Sequence, residues 1–121
     1  MVSRRELKYE RIDKTDPQHS IFRVSGDLTD SRESYVLLEE IRKTLQGGCP
    51  LVLINLMQLG FISSSGVGIL AASYTSARNA GGRLCIIGVS ERGRILLEIV
   101  GLWNVIEHFD REEEALTGAK A

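Results

Sequence analysis

The segment LVLINLMQLGFISSSGVGILAA, residues 51–72, constrains the fold more than any other stretch. Its first six residues, Leu51–Leu56, form a nearly unbroken apolar run with β-branched side chains. A strand of that kind is buried on both faces, which calls for a central place in a parallel sheet. The whole segment is apolar enough to suggest a membrane span. Asn55, Gln58, three serines and three glycines interrupt it, and no flanking charge pattern supports insertion. A buried strand followed by a helix is the better reading, and no membrane partner is expected.

The flanking sequence supplies the other layers. LKYERI (7–12) alternates like a half-buried strand, and SIFRVSG (20–26) reads as a second strand ended by Gly26. Turn formers between them predict a hairpin. Asp30 or Ser31 can cap a helix whose stripe is Tyr35, Leu38, Ile41 and Leu45, stopped at Gly47-Gly48. Beyond the serines, Val67, Leu70, Tyr74 and Ala77 share a helical face. RLCIIG (83–88) is another buried strand. Ser90 is the expected cap of a helix running through Val100 with a stripe of Ile95, Leu96 and Ile99, and NVIEHF (104–109) is a last strand. REEEAL (111–116) starts a terminal helix. The order predicts an α/β fold: four to five strands in a mostly parallel sheet with helices packed on it, and right-handed crossovers.

Bulk properties narrow the function. The 121 residues are read as a single domain, 1–121, with a core over about 7–116. Fifteen basic and sixteen acidic residues leave a net charge of −1, which is not the basic excess of a nucleic-acid binder. Arg4 and Arg5 read as a solvated basic end with no apolar segment after them, so a cytoplasmic location with reduced thiols is the expectation. Cys49, Cys85, His19 and His108 are scattered, so neither a metal nor another cofactor is expected.

The serines Ser63, Ser64 and Ser65 fall between the end of the central strand and the start of a helix, the edge where open α/β sheets bind ligands and partners. A hydrolase nucleophile needs Gly-x-Ser-x-Gly and a base, and Phe61 and Ile62 stand where that glycine belongs. Gly66-Val67-Gly68-Ile69-Leu70-Ala71 fits a dinucleotide pattern on paper, but Ile86, Ile87 and Gly88 occupy the place of its acidic residue. Capping explains one serine, assigned to Ser65, and leaves Ser63 and Ser64 in the turn. Modification by a partner is a further reading. A phosphoserine at a helix start is tolerated by the helix dipole and adds about −1.5 to −2 charges. Gly66, Ile69, Ser73 and Ser76 form the remaining face of the helix. That face of small residues suits either close approach by another protein or packing inside this one.

Taken in order, these landmarks resemble a STAS domain, the fold of bacterial anti-sigma factor antagonists. Gly26-Asp27-Leu28 is similar to the family's Gly-[Glu/Asp]-[Leu/Ile], and Phe61-Ile62-Ser63-Ser64-Ser65-Gly66-Val67-Gly68 to its strand-end signature Asp-Ser-Ser-Gly-Leu-Gly. Gly81-Gly82, Ile87-Gly88-Val89-Ser90 and Leu97 through Gly101-Leu102 resemble later landmarks. The resemblance implies a non-enzymatic cytoplasmic switch, monomeric or weakly dimeric. Unphosphorylated, such a protein binds an anti-sigma factor that is also a GHKL-type serine kinase and so frees a sigma factor. Phosphorylation ends binding and a phosphoserine phosphatase restores it. The resemblance places the phosphorylated serine at Ser64, with Ser63 or Ser65 second choices, and the partner surface at Asp27, Thr29, Asn55, Ser63, Ser65, Gly66, Ile69 and Ser73. Ser63 stands where the family usually has aspartate, and Thr29 where many relatives carry an acidic or other polar residue. The alternative implied by the same resemblance is a STAS docking subunit of a lipid-transport ATPase or stress-signalling complex without a phospho-switch. Direct binding of a nucleotide or other small ligand at the strand ends is a third reading.

Overall fold

A computed structural model describes residues 5–117. The elements run β1 (Lys8–Lys14), β2 (His19–Leu28), α1 (Arg32–Gln46), β3 (Leu51–Ile62), α2 (Ser64–Ala80), β4 (Arg83–Ile87), α3 (Glu91–Ile99), β5 (Glu107–Phe109) and α4 (Glu112–Thr117). The five strands lie in the order β1-β2-β3-β4-β5. β1 pairs antiparallel with β2 as the hairpin required, and the three remaining pairings are parallel. Because the order β2 to β5 never reverses, successive right-handed crossovers carry their helices to one face. The core divides accordingly. Phe22, Val24, Val52, Ile54, Leu56 and Ile86 meet Leu37, Ile41, Leu70 and Leu97 from α1, α2 and α3. Ile21, Leu51, Leu53, Cys85 and Ile87 face the other way, toward Phe109 and Ala115 of α4. The apolar run at 51–56 is thus buried on both sides.

Several local expectations shift. β3 does not stop at Leu56 but runs to Ile62. It carries two extra residues relative to β2: Arg23 pairs with Asn55 but Ser25 with Gln58, and Gly26 with Leu59 but Asp27 with Phe61. Each bulge bends the strand, and two together restore the alternation, so Ile62 returns to the helix-covered core with Leu56. β5 begins only at Glu107, because the amides of Val105 and Ile106 both donate to the Leu102 carbonyl at 3.0 Å and are withdrawn from the ladder. In α1 the buried stripe is Leu37, Leu38, Ile41 and Leu45, while Tyr35 is 53% exposed. In α3 the inward pair is Gly93 and Leu97, which leaves Ile95 and Ile99 exposed rather than in the core. No helix is long and apolar enough to cross a membrane, among the described residues.

Candidate functional site

β3 passes into α2 with a single residue between them, and that residue is Ser63. Its backbone is extended at φ −98° and ψ 175°, and its hydroxyl accepts from the Gly66 amide at 3.1 Å. The Ser63 amide donates to the Leu28 carbonyl at 3.0 Å, which ties the turn to the end of β2. Ser63, not Ser65, is therefore the helix cap. β3 runs on to Ile62 and α2 starts at Ser64, earlier than the pattern suggested, so the single extended residue between them takes the role. Ser64 and Ser65 become the first two helical residues, both exposed. No acidic residue lies in the first turn of α2, so no side chain there compensates the positive end of its dipole.

Gly66 is buried because the end of β2 lies against it. A Cβ at this position would stand 2.3 Å from the Leu28 carbonyl oxygen and 2.9 Å from Ile62 Cγ1. Ile69 and Ser73 are also buried, at 4% and 0% exposure, and the Ser73 hydroxyl donates to the Ile69 carbonyl at 2.8 Å. Ser76 accepts from Arg42 of α1 at 3.2 Å. The face formed by Gly66, Ile69, Ser73 and Ser76 is thus taken up by the protein itself, and the reading of it as a partner surface is corrected. The outward face is the next one round: Ser64, Gly68 and Thr75 are exposed, with Ala71 half-buried between them. A Cβ on Gly68 would meet nothing within 4 Å.

The remaining expected residues divide. Thr29 is half-buried beside the turn, its amide donating to the Ser34 hydroxyl at 3.4 Å. Asp27 is 6% exposed and turned to the chain's own start. Its carboxylate accepts from the Arg5 amide at 2.8 Å, its own amide donates to the Arg5 carbonyl at 3.1 Å, and the Arg5 guanidinium lies 4.0 Å away. Arg5 is therefore fastened to β2 through its backbone rather than a freely solvated end; Arg4 lies outside the described residues. Asn55 does not join the group. It sits on the α4 side of the sheet, where its amide donates to Glu112 at 2.6 Å and its carbonyl accepts from the Met57 amide at 2.9 Å. Arg23 grips the same carboxylate with two bonds, at 2.9 and 3.0 Å. The Arg23 bonds hold the Glu112 carboxyl below the usual carboxylate range, against the opposing effect of burial and with help from Asn55. Asn55 is thus an anchor for α4, placed there by strand alternation.

One residue near the serines escaped sequence reasoning. Arg92, on the first turn of α3, donates from Nε to the Ile62 carbonyl at 2.8 Å, and its guanidinium carbon lies 4.6 Å from the centre of the Phe61 ring. Only the parallel packing of β4 beside β3 brings it there. No group of three or more His, Cys, Asp or Glu side chains is placed to hold a metal, among the described residues.

The sheet order, the capped serine turn and the crossover helices α1, α2 and α3 gathered on one face define the class, and the family model agrees. The STAS domain matches residues 10–115, and the chain belongs to that family. Among curated proteins it is 28% identical over 97 residues to the anti-sigma F factor antagonist of Paenibacillus polymyxa, covering 80% of this chain and 83% of that one. Among solved structures it is similar to the anti-sigma factor antagonist SpoIIAA in its unphosphorylated form, with TM-score 0.74 and 20% identity over 94% of this chain and all of that one. The Bacillus cell fate determinant SpoIIAA in the phosphorylated form matches with TM-score 0.72 and 21% identity, covering 93% of this chain and 100% of that one.

Proposed function

We propose that this domain is an anti-sigma factor antagonist, a non-enzymatic cytoplasmic switch controlled at Ser64. The observation that carries the proposal is the division of labour at the turn. Ser63 is consumed by capping and Gly66 by packing, while Ser64 is exposed at the first helical position and no internal contact requires its hydroxyl. The outward face that starts at Ser64 continues through Gly68, a mid-helix glycine that costs about 1 kcal/mol relative to alanine and fills no internal need. A backbone kept bare in that way suits a partner lying close against α2. The partner is an anti-sigma factor that is also an ATP-dependent serine kinase. The kinase forms a bond between Ser64 Oγ and the γ-phosphorus of ATP as the bond to ADP breaks, and the hydroxyl proton passes to a base of the kinase. A phosphatase hydrolyses the ester. In support, the similar SpoIIAA is known in both unphosphorylated and phosphorylated forms.

The energetics follow from charge. The phosphate adds about −1.5 to −2 charges to a surface that must be desolvated on binding. A penalty of about 3 kcal/mol lowers affinity roughly a hundredfold. The test compares capture from the host lysate by wild type, Ser64→Ala and Ser64→Asp, read by mass spectrometry. A kinase-like protein held by wild type and Ser64→Ala and lost by Ser64→Asp is the expected result. A partner held equally by all three would overturn the switch and favour a permanent docking subunit whose serines only build the turn.

A further inference from the structure

We propose that Arg92 receives the phosphate of phosphoserine 64 on the protein's own surface. The starting observation is that Arg92 is exposed yet held in place. Its Nε donates to the Ile62 carbonyl at 2.8 Å and its guanidinium lies over the Phe61 ring at 4.6 Å. Those two contacts fix the cation across the last strand residues before the serine turn. Ser64 starts two residues beyond Ile62, about 7 Å of chain at most. An arginine and a phosphoserine side chain together span that gap. With Nε engaged, the two terminal nitrogens of the guanidinium remain to face the phosphate in the fork geometry that favours phosphate oxygens.

The charges around the turn agree with this assignment. Ser63 is neutral, and α2 has no acid in its first turn, so nothing on that element competes for the guanidinium. On α3 the neighbouring acid is Glu91, in the first turn of its own helix. At the end of β2 the acid is Asp27, which is taken by Arg5. Ser63 follows directly on Ile62, whose carbonyl holds Arg92, and adds no negative charge there. The neutral cap therefore leaves the arginine for the modified serine. Arg92 then stabilises the phosphorylated state and draws the phosphate against the α2–α3 surface.

The biological use of this pair rests on the phospho-switch reading, but its test does not. Phosphoserine is installed at position 64 of the full chain during translation, with no kinase involved, and the phosphate is titrated by phosphorus NMR in wild type, Arg92→Gln and Arg92→Lys. The wild-type midpoint is expected below that of Arg92→Gln by about 0.5 pH unit, because a nearby cation favours the dianion. Arg92→Lys is expected to recover part of the shift. Melting temperatures of the four proteins with and without phosphate and with Arg or Gln at 92 form a cycle, which removes any effect of Arg92→Gln on the fold alone. Equal midpoints in wild type and Arg92→Gln, with no coupling in the cycle, would overturn the pairing. Absence of phosphate on Ser64 in the host would overturn the switch and leave the Arg92 measurement standing.

Discussion

Two turns of this protein are built alike and serve differently. Ser63-Ser64-Ser65-Gly66 opens α2 and Ser90-Glu91-Arg92-Gly93 opens α3. In each, a serine with extended backbone ends the approach, its hydroxyl accepts from the amide of the glycine three residues on at 3.1 Å, and that glycine is buried. The two positions between serine and glycine differ. At α3 they are glutamate and arginine, one complementing the helix dipole and the other bonded to the Ile62 carbonyl. At α2 they are exposed serines with no charge. The shared frame is structural. The difference leaves two exposed, uncharged hydroxyls at the α2 turn where the α3 turn carries a charged pair.

The comparison can be broken most severely at its glycines. Gly66→Ala is expected to destabilise by about 3 kcal/mol, because the new Cβ would stand 2.3 Å from the Leu28 carbonyl, which is backbone. Gly93→Ala should cost nearer 1 kcal/mol, since its closest neighbour is the Val89 side chain at 2.8 Å. Urea unfolding of both variants tests this; equal losses would mean that the two turns are held by the same forces. The caps come next. Ser63→Ala and Ser90→Ala should each lose about 1 kcal/mol, whereas Ser63→Asp should keep its stability, because aspartate caps as well as serine. A Ser63→Asp protein that unfolds as easily as Ser63→Ala would remove the cap assignment. The smallest effect sharpens the contrast between stability and binding. Gly68→Ala is expected to stabilise the free protein by about 0.5–1 kcal/mol, since its Cβ meets nothing, while weakening capture of the partner. Thermal melts and the capture assay together decide it; unaffected binding would take α2 out of the interface.

The structure places Ser64 at an exposed helix start, whereas local pattern misassigned its neighbours. The 3.6-residue period shows which residues share a face and not which face turns inward. Gly66, Ile69 and Ser73 were therefore legible as a stripe, while the choice between partner and core was not. The direction was set by the end of β2 lying against Gly66 and by α1 lying along α2. The same ambiguity turned Ile95 and Ile99 outward. Asn55 was misplaced for a second reason: strand alternation sends it through the sheet to Glu112, a partner 57 residues away in sequence.

The sequence by itself determined the layers. An apolar run with no polar face has to be a central strand, and glycines and capping residues punctuate the chain at the energies that local backbone conformation sets. The Ser-x-x-Gly caps are equally local, since both partners of each hydrogen bond lie within one helical turn. Tertiary structure alone decided which side of each helix is spent on the core, where β3 ends, and which charge stands beside the serines. Those outcomes depend on contacts between distant segments: the Leu28 carbonyl at Ser63, the two bulges of β3 against β2, and Arg92 laid across Ile62. No window of neighbouring residues contains both members of any of these pairs.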